Sequence, residues 1–202
     1  NLGAGNFGAQ QVISTNADGA LSVHAADLDG DGDADVLSAA GFDDKIAWYE
    51  NLGGGSFSTE KVITTIANGA LSVHTADIDG DGDLDVLSAS VFDDKIAWYE
   101  NLGGGSFSGE MVISLTADGA YDVFATDLDN DGDSDVLVAS GCDDQISWYE
   151  NMGGGSFSAK KVITVNANLA RSVYAADLNG DGYADVRSAS FQDDKVAWYE
   201  NQ

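Results

Sequence analysis

The sequence predicts an all-β protein, a β-propeller of four-stranded antiparallel blades made from four 50-residue repeats. Three observations carry that expectation. The run Asn51-Leu52-Gly53-Gly54-Gly55-Ser56-Phe57-Ser58 recurs unchanged from Asn101 and with Met152 from Asn151, and a looser copy, Asn1 to Gly8, opens the chain. Trp48, Trp98, Trp148 and Trp198 keep the same step, with no insertion or deletion between them. Within each period, short β-rich runs alternate with Asp/Gly turn clusters, and no window of helical length holds a 3.6-residue period free of glycine. With no linker between copies, residues 1–202 read as a single repeat domain, its repeats at about 1–50, 51–100, 101–150 and 151–202.

The first period justifies each element in turn. Gln11–Ser14 carries Val12 and Ile13, a short β-branched pair. Leu21–Ala26 alternates before running into an Asp/Gly cluster, and Asp35–Ala39 follows with Val36 and Leu37. A turn at Gly41–Asp44 leads into Lys45–Asn51, which carries Ile46, Trp48 and Tyr49. The glycine turn Leu52–Ser56 then returns the chain to Phe57 and to Val62-Ile63. That is four strands per period, joined by turns of hairpin length. The 25 glycines among 202 residues supply the tight turns.

The phase of the repeat predicts how the ends meet. The chain begins with what would be the last strand of a blade, Phe7–Ser14, and finishes after the third strand of the fourth set, Lys195–Asn201. The N-terminal strand is therefore expected to complete the last blade, closing a ring within one chain. The same phase lets two chains complete each other as an eight-bladed ring, or lets the chain form part of a longer array. Either way, paired ends avoid exposed sheet edges.

Each period holds one dense acidic loop, Asp27-Leu28-Asp29-Gly30-Asp31-Gly32-Asp33-Ala34-Asp35 in the first, with counterparts from Asp77, Asp127 and Asp177. In the spacing D-x-D-x-D-G-x-x-D, side-chain oxygens at positions 1, 3, 5 and 9 and a backbone carbonyl at position 7 converge on one hard cation, and the glycine at position 6 permits the sharp turn. Oxygen donors without nitrogen or sulfur favour Ca²⁺ over transition metals, and a flexible loop of many ligands favours it over Mg²⁺. An EF-hand is excluded, because position 12 is Ser38, Ser88, Val138 or Ser188 within a strand rather than a bidentate Glu before a helix. Repeats of nine residues are excluded by the 50-residue period.

This loop, set between two strands once per blade, resembles the FG-GAP/VCBS repeat family, best known from the calcium-binding propellers of integrin α-subunits. The run Ala26 to Asn51 resembles the VCBS branch especially closely, and the likeness extends over all four periods. It implies that Asp27, Asp29, Asp31 and Asp35 are side-chain ligands and Asp33 a backbone-oxygen ligand. The same assignment covers Asp77, Asp79, Asp81, Asp83 and Asp85, and Asp127, Asp129, Asp131, Asp133 and Asp135. In the fourth loop it falls on Asp177, Asn179, Asp181, Tyr183 and Asp185; Asn179 keeps an oxygen but loses a charge, so this site is expected to be the weakest. About one Ca²⁺ per repeat, four in all, is the expected complement.

The charge supports this arithmetic. The 35 Asp+Glu exceed the 8 Lys+Arg to give a formal net charge of −27. Eighteen of those acids, five in each of the first three loops and three in the fourth, lie in the acidic loops. Close carboxylates repel by roughly 4 kcal/mol per pair at an effective dielectric near 20. Bound cations relieve that repulsion, which couples metal binding to folding. So negative a chain is not expected to meet nucleic acid or anionic membrane. No apolar run approaches the roughly 20 residues of a membrane helix. Residues 1–20 lack the pattern of a signal peptide, so any such peptide is expected to have been removed or never to have been part of this sequence.

The remaining candidates have structural explanations. Asp43-Asp44, Asp93-Asp94, Asp143-Asp144 and Asp193-Asp194 occupy the same hairpin turn in every copy, which suits turn capping better than a two-carboxylate glycosidase site. Ser22, His24 and Asp27 lie on one strand, and the His24 position becomes His74, Phe124 and Tyr174 elsewhere, as packing allows and a triad does not. Cys142 replaces a turn residue and has no base partner in sequence. The copies differ at Phe42, Phe92, Cys142 and Gln192, with Phe191 beside the last, and Phe42, Phe92 and Phe191 are candidate ligand contacts. Arg171 and Arg187 are the only arginines, both in the last repeat. Together these features predict a non-catalytic, calcium-binding module of extracellular or cell-surface adhesion and assembly, with a protein or glycan at its exposed loops. The alternatives are a lectin with pockets between blades and a part of a carbohydrate-active enzyme.

Overall fold

In a computed structural model, residue 5 and residues 7–202 are described. Most of the opening repeat copy, residues 1–4 and 6, lies outside them. All regular structure among the described residues is β, in fifteen strands. The first sheet is β1 (Ala20–Ala26), β2 (Asp35–Ala40), β3 (Lys45–Tyr49) and β4 (Lys61–Thr64), paired antiparallel in chain order. The second repeats it as β5 (Ala70–Ala76), β6 (Asp85–Ser90), β7 (Lys95–Tyr99) and β8 (Met111–Ser114). The third does so as β9 (Ala120–Thr126), β10 (Asp135–Ser140), β11 (Gln145–Tyr149) and β12 (Lys161–Thr164). The fourth has β13 (Ala170–Ala176), β14 (Asp185–Ser190) and β15 (Lys195–Tyr199).

Register follows from the pattern of apolar residues. In the first blade Leu37 stands opposite both His24 and Trp48, and equivalent trios recur in the others. The middle strands β6 and β10 are buried on both faces, because their blades lie between two neighbours, whereas β14 of the last blade leaves Arg187 exposed. Irregularities fall at fixed places, one early in each first strand and one where the third strand meets the fourth. The second leaves Ile63, Ile113 and Ile163 outside the ladder, and each packs into the core shared with the next blade.

Three cores result, one per boundary. Between the first two blades, Leu28, Leu37, Ile46 and Trp48 meet Val73, Val86 and Tyr99, and the same positions recur at the next two boundaries. The first strands of successive blades touch in series, β1 with β5, β5 with β9 and β9 with β13. Along that inner rim His24, His74, Phe124 and Tyr174 form a file with ring centroids 4.8, 4.6 and 4.2 Å apart. Burial between two rings, and then the charge of His24, pushes the His74 imidazole down to about 4.

The expected closing strand is not made here. Among the described residues, Phe7–Ser14 forms no strand, the fourth sheet keeps three, and β13 does not meet β1 as neighbouring first strands meet. With β1 and β13 apart, the four blades make an open arc.

A lysine pins each boundary turn. Lys45 is 3.0 Å from Asp43 and 2.9 Å from Glu60, and Lys95 is 2.9 Å from both Asp93 and Glu110. Each also donates to a backbone carbonyl of the strand connection before it, Asn16 and Ile66. The third blade reverses the pair. Gln145 stands where the lysine was, and Lys160 stands where the glutamate was, reaching Asp143 at 3.6 Å and the Thr116 carbonyl at 2.9 Å.

The glycine turns press flat against tryptophan. A Cβ at Gly105 would lie 2.3 Å from Trp48, and one at Gly155 would lie 2.3 Å from Trp98, where no side chain fits. Gly105→Ala is therefore expected to cost about 2–4 kcal/mol, part from its positive φ of 68° and part from the clash. Gly104→Ala shares the positive φ but meets nothing, so denaturant titration of both variants isolates the contact. A second expectation concerns acid. A His whose folded pKa is lowered to about 4 costs stability as pH falls from about 6.5, where the unfolded chain takes up its proton, towards 4. The full effect is of order 3 kcal/mol. His74→Phe, the residue found in the third blade, should remove that part of the acid sensitivity in melting curves at pH 7 and pH 4.5.

Candidate metal centre

Each acidic loop joins the first and second strands of a blade and is shaped by its own carboxylates. In the first, Asp27 accepts from the Gly30 N–H at 2.8 Å and the Gly32 N–H at 2.9 Å, one per oxygen. Asp29 accepts from the Asp31 N–H, and Asp31 from the Asp33 N–H, at 3.2 and 2.8 Å. The position-4 residue adopts a left-handed conformation in all four loops, and in the third it is Asn130 at φ 61°, a residue that tolerates it.

The last aspartate of the loop is fully buried. Asp35 accepts from the Leu28 N–H at 2.9 Å through one oxygen and from the Asn51 N–H at 2.7 Å through the other. Asp85, Asp135 and Asp185 repeat both bonds. Burial pushes the Asp85 and Asp135 carboxyls up to about 6 against the lowering effect of those two amides, and the neighbouring loop carboxylates push the same way. Asp29 and Asp129 are also raised, by desolvation and by the carboxylates around them.

Three of the four side chains expected as ligands converge in each of the first three loops. One carboxylate oxygen each from Asp27, Asp29 and Asp35 lies within 4.8 Å of the others, as do those of Asp77, Asp79 and Asp85, and of Asp127, Asp129 and Asp135. Asp27 and Asp35 accept one N–H through each oxygen and Asp29 accepts one through a single oxygen, which leaves lone pairs for a cation, so the all-oxygen donor set fits a divalent ion. Asp31, Asp81 and Asp131 stand outside the gathered trio, each accepting from the N–H two residues on. Asp33, Asp83 and Asp133 turn their side chains towards Gly53, Gly103 and Gly153 of the following turn, which leaves the backbone as their means of contact.

The fourth loop keeps the frame but changes the contents. Asp177 still caps Gly180 and Gly182, while the Asn179 amide donates to Asp181 at 2.9 Å and to Glu200 at 3.3 Å. An amide nitrogen there repels a cation where the other loops offer carboxylate. Tyr183 donates its N–H to Asp181 and is largely exposed.

Sequence reasoning missed the asparagine that follows each Trp-Tyr-Glu run. Asn101 uses its N–H to hold Asp85 and its side-chain amide to reach the Leu28 carbonyl of the preceding blade at 2.8 Å. Asn151 and Asn201 do the same to Ile78 and Leu128. Its recurrence at the same place in all four periods was the available signal. The paired turn aspartates act as structure: Asp44 and Asp94 accept from the Gly69 and Gly119 N–H groups of the following connection, and Asp43 and Asp93 bind the turn lysines.

Solved structures share this architecture. An Agrocybe aegerita lectin described as recognising non-reducing terminal N-acetylglucosamine matches at 23% identity and a TM-score of 0.58, over 88% of this chain and 51% of its own. BBS1N in complex with ARL6DN matches at 14% identity and 0.57, over 92% of this chain and 59% of its own. The Photorhabdus luminescens Tc holotoxin pore matches at 20% and 0.52, over 88% of this chain and 9% of its own. The chain thus spans about half the length of the lectin it matches. No curated protein matches it. The FG-GAP-like repeat model matches residues 1–38, 27–88, 88–138 and 127–187. With the acidic loop, the four-stranded blade and that match in agreement, the chain belongs to the FG-GAP-like repeat family.

Proposed function

We propose that the chain is a calcium-binding, non-catalytic propeller module serving extracellular adhesion or assembly, with one Ca²⁺ in each acidic loop. The observation that carries this reading is the threefold recurrence of gathered carboxylates, Asp27/Asp29/Asp35 and its two copies. Three carboxylates held this close by backbone amides repel one another unless a cation sits among them. Ca²⁺ suits the oxygen-only set and the open loop, and modest affinities are sufficient at extracellular calcium levels. The Asn179 loop is the weakest site, as its amide contact with Asp181 suggests. The turn residues that vary between copies supply the partner surface.

A second reading, a glycan-binding module, has one observation in its favour. Phe42, Phe92 and Phe191 are 80%, 72% and 68% exposed at the same turn in three blades, and exposed rings stack on sugars. The lectin relative is consistent with this reading through its fold alone.

Chelation is expected to lower the melting temperature by about 5 °C or more, with recovery on adding Ca²⁺ and little on adding Mg²⁺. An unchanged melting curve would refute the calcium assignment. Asp79→Asn should reduce titrated calcium by one equivalent, and Asn179→Asp should strengthen the fourth site. A glycan array probed in calcium separates the two readings: specific hits lost in Phe42→Ala and Phe92→Ala favour sugar, and no hits leave protein contact.

A further inference from the structure

Each Trp-Tyr pair is followed by a glutamate, and one of these glutamates is unlike the rest. Of the six in the chain, five have a side-chain partner. Glu60 and Glu110 bind Lys45 and Lys95 at 2.9 Å, Glu50 and Glu150 lie 2.6 Å from Lys61 and Lys161, and Glu200 accepts the Asn179 amide at 3.3 Å. Glu100 is half-buried and has no side-chain partner among the described residues; only its backbone is engaged, with Ser108.

One replacement in the fourth strand accounts for this. The ladders set Lys61 opposite Trp48 and Lys161 opposite Trp148, while in the second blade Met111 stands opposite Trp98. Lys61 and Lys161 lie over their tryptophan rings, 4.2 and 4.3 Å from the centroids, and meet the glutamate from there. Met111 keeps an apolar stem of similar length, packs against the core between the second and third blades, and drops the charge. The second blade has a neighbour on each side, so Glu100 stands among finished contacts.

This glutamate position adjoins the acidic loop. The N–H of the residue after it, Asn51, Asn101 or Asn151, is bonded to the buried aspartate that ends the loop, which lays the end of the third strand against the ion-binding trio. In the fourth blade the contact is direct, because Asn179 is the third position of its loop. In the first and third blades, the Asp29 and Asp129 carboxyls are raised by desolvation first, and Glu50 and Glu150 are among the neighbouring charges that add to it.

We propose that the glutamate after each Trp-Tyr pair is an outer carboxylate of the ion site, that the residue opposite the tryptophan sets its strength, and that the second loop therefore binds its cation most tightly. The inference rests on the calcium reading above. Around the first and third loops, five loop aspartates and one glutamate face one lysine, a net of −5; around the second, the same six acids face none, a net of −6. Around the fourth, three aspartates and Glu200 leave −4. The outer carboxylate acts through its field on the ion, and affinity in sites of this kind follows the charge gathered around them. The order of affinity is the second loop, then the first and third, then the fourth.

Calorimetric calcium titration of the full chain should resolve one site about tenfold tighter than the next two. Asp79→Asn should remove that tight equivalent, and Asp29→Asn a weaker one. Met111→Lys, which copies the first and third blades, and Glu100→Gln should each weaken the tight site about tenfold, and Lys61→Met should strengthen a second site by as much. Met111→Leu, apolar like the natural residue, should leave the affinities unchanged, and the gap between sites should narrow as sodium chloride is raised. Equal affinities in the first three loops, or a tight site that neither Met111→Lys nor Glu100→Gln moves, overturn this proposal while the calcium reading stands. A titration in which no calcium binds overturns both.

Discussion

The buried carboxylate that ends each acidic loop governs more of this molecule than any other group. Asp85 holds the loop by the Ile78 N–H and the end of the third strand by the Asn101 N–H, and Asn101 in turn holds the preceding blade at Leu28. Loop shape, strand register and blade-to-blade spacing therefore share one anchor. Burial is costly for a charge, and it pushes the Asp85 carboxyl up to about 6 although two amides hold it. The same anchor fixes one corner of the ion-binding trio, so a cation held there adds to a frame that already joins two blades.

Around this anchor the protein is a one-dimensional assembly. Each inner blade owns half of the core on either side of it, and each boundary core is shared by two blades. The inner file of His24, His74, Phe124 and Tyr174 is the visible trace of that arrangement, one ring from each blade in contact with the next. It accepts imidazole, phenyl and phenol alike because what it needs is a flat apolar body of about the same size.

Much of this was legible in the sequence. The exact 50-residue step placed every strand to within a few residues, and the D-x-D-x-D-G-x-x-D spacing picked out the loop whose carboxylates converge. Two things were not legible. That Asp31 caps its own loop rather than joining the trio depends on backbone turns that spacing alone does not specify. That Phe7–Ser14 forms no strand here goes with β13 and β1 standing apart, a matter of how whole blades are placed and not of local residue type. The asparagine clamp was visible as a recurrence but carried no chemical signature of its own.

The reversed ion pair of the third blade bears on how such a chain finds its own pairing. Four nearly identical sheets can exchange strands during folding, each fourth strand fitting the wrong third strand just as well in shape. Were β12 to dock beside β7, the Lys160 ammonium would face that of Lys95, and were β8 to dock beside β11, Glu110 would meet Asp143 with no cation between them. Both mistakes set like charges together at a half-buried site, where repulsion is strong. One exchanged pair of side chains thus marks the third blade as distinct and guards the repeat against being threaded out of order.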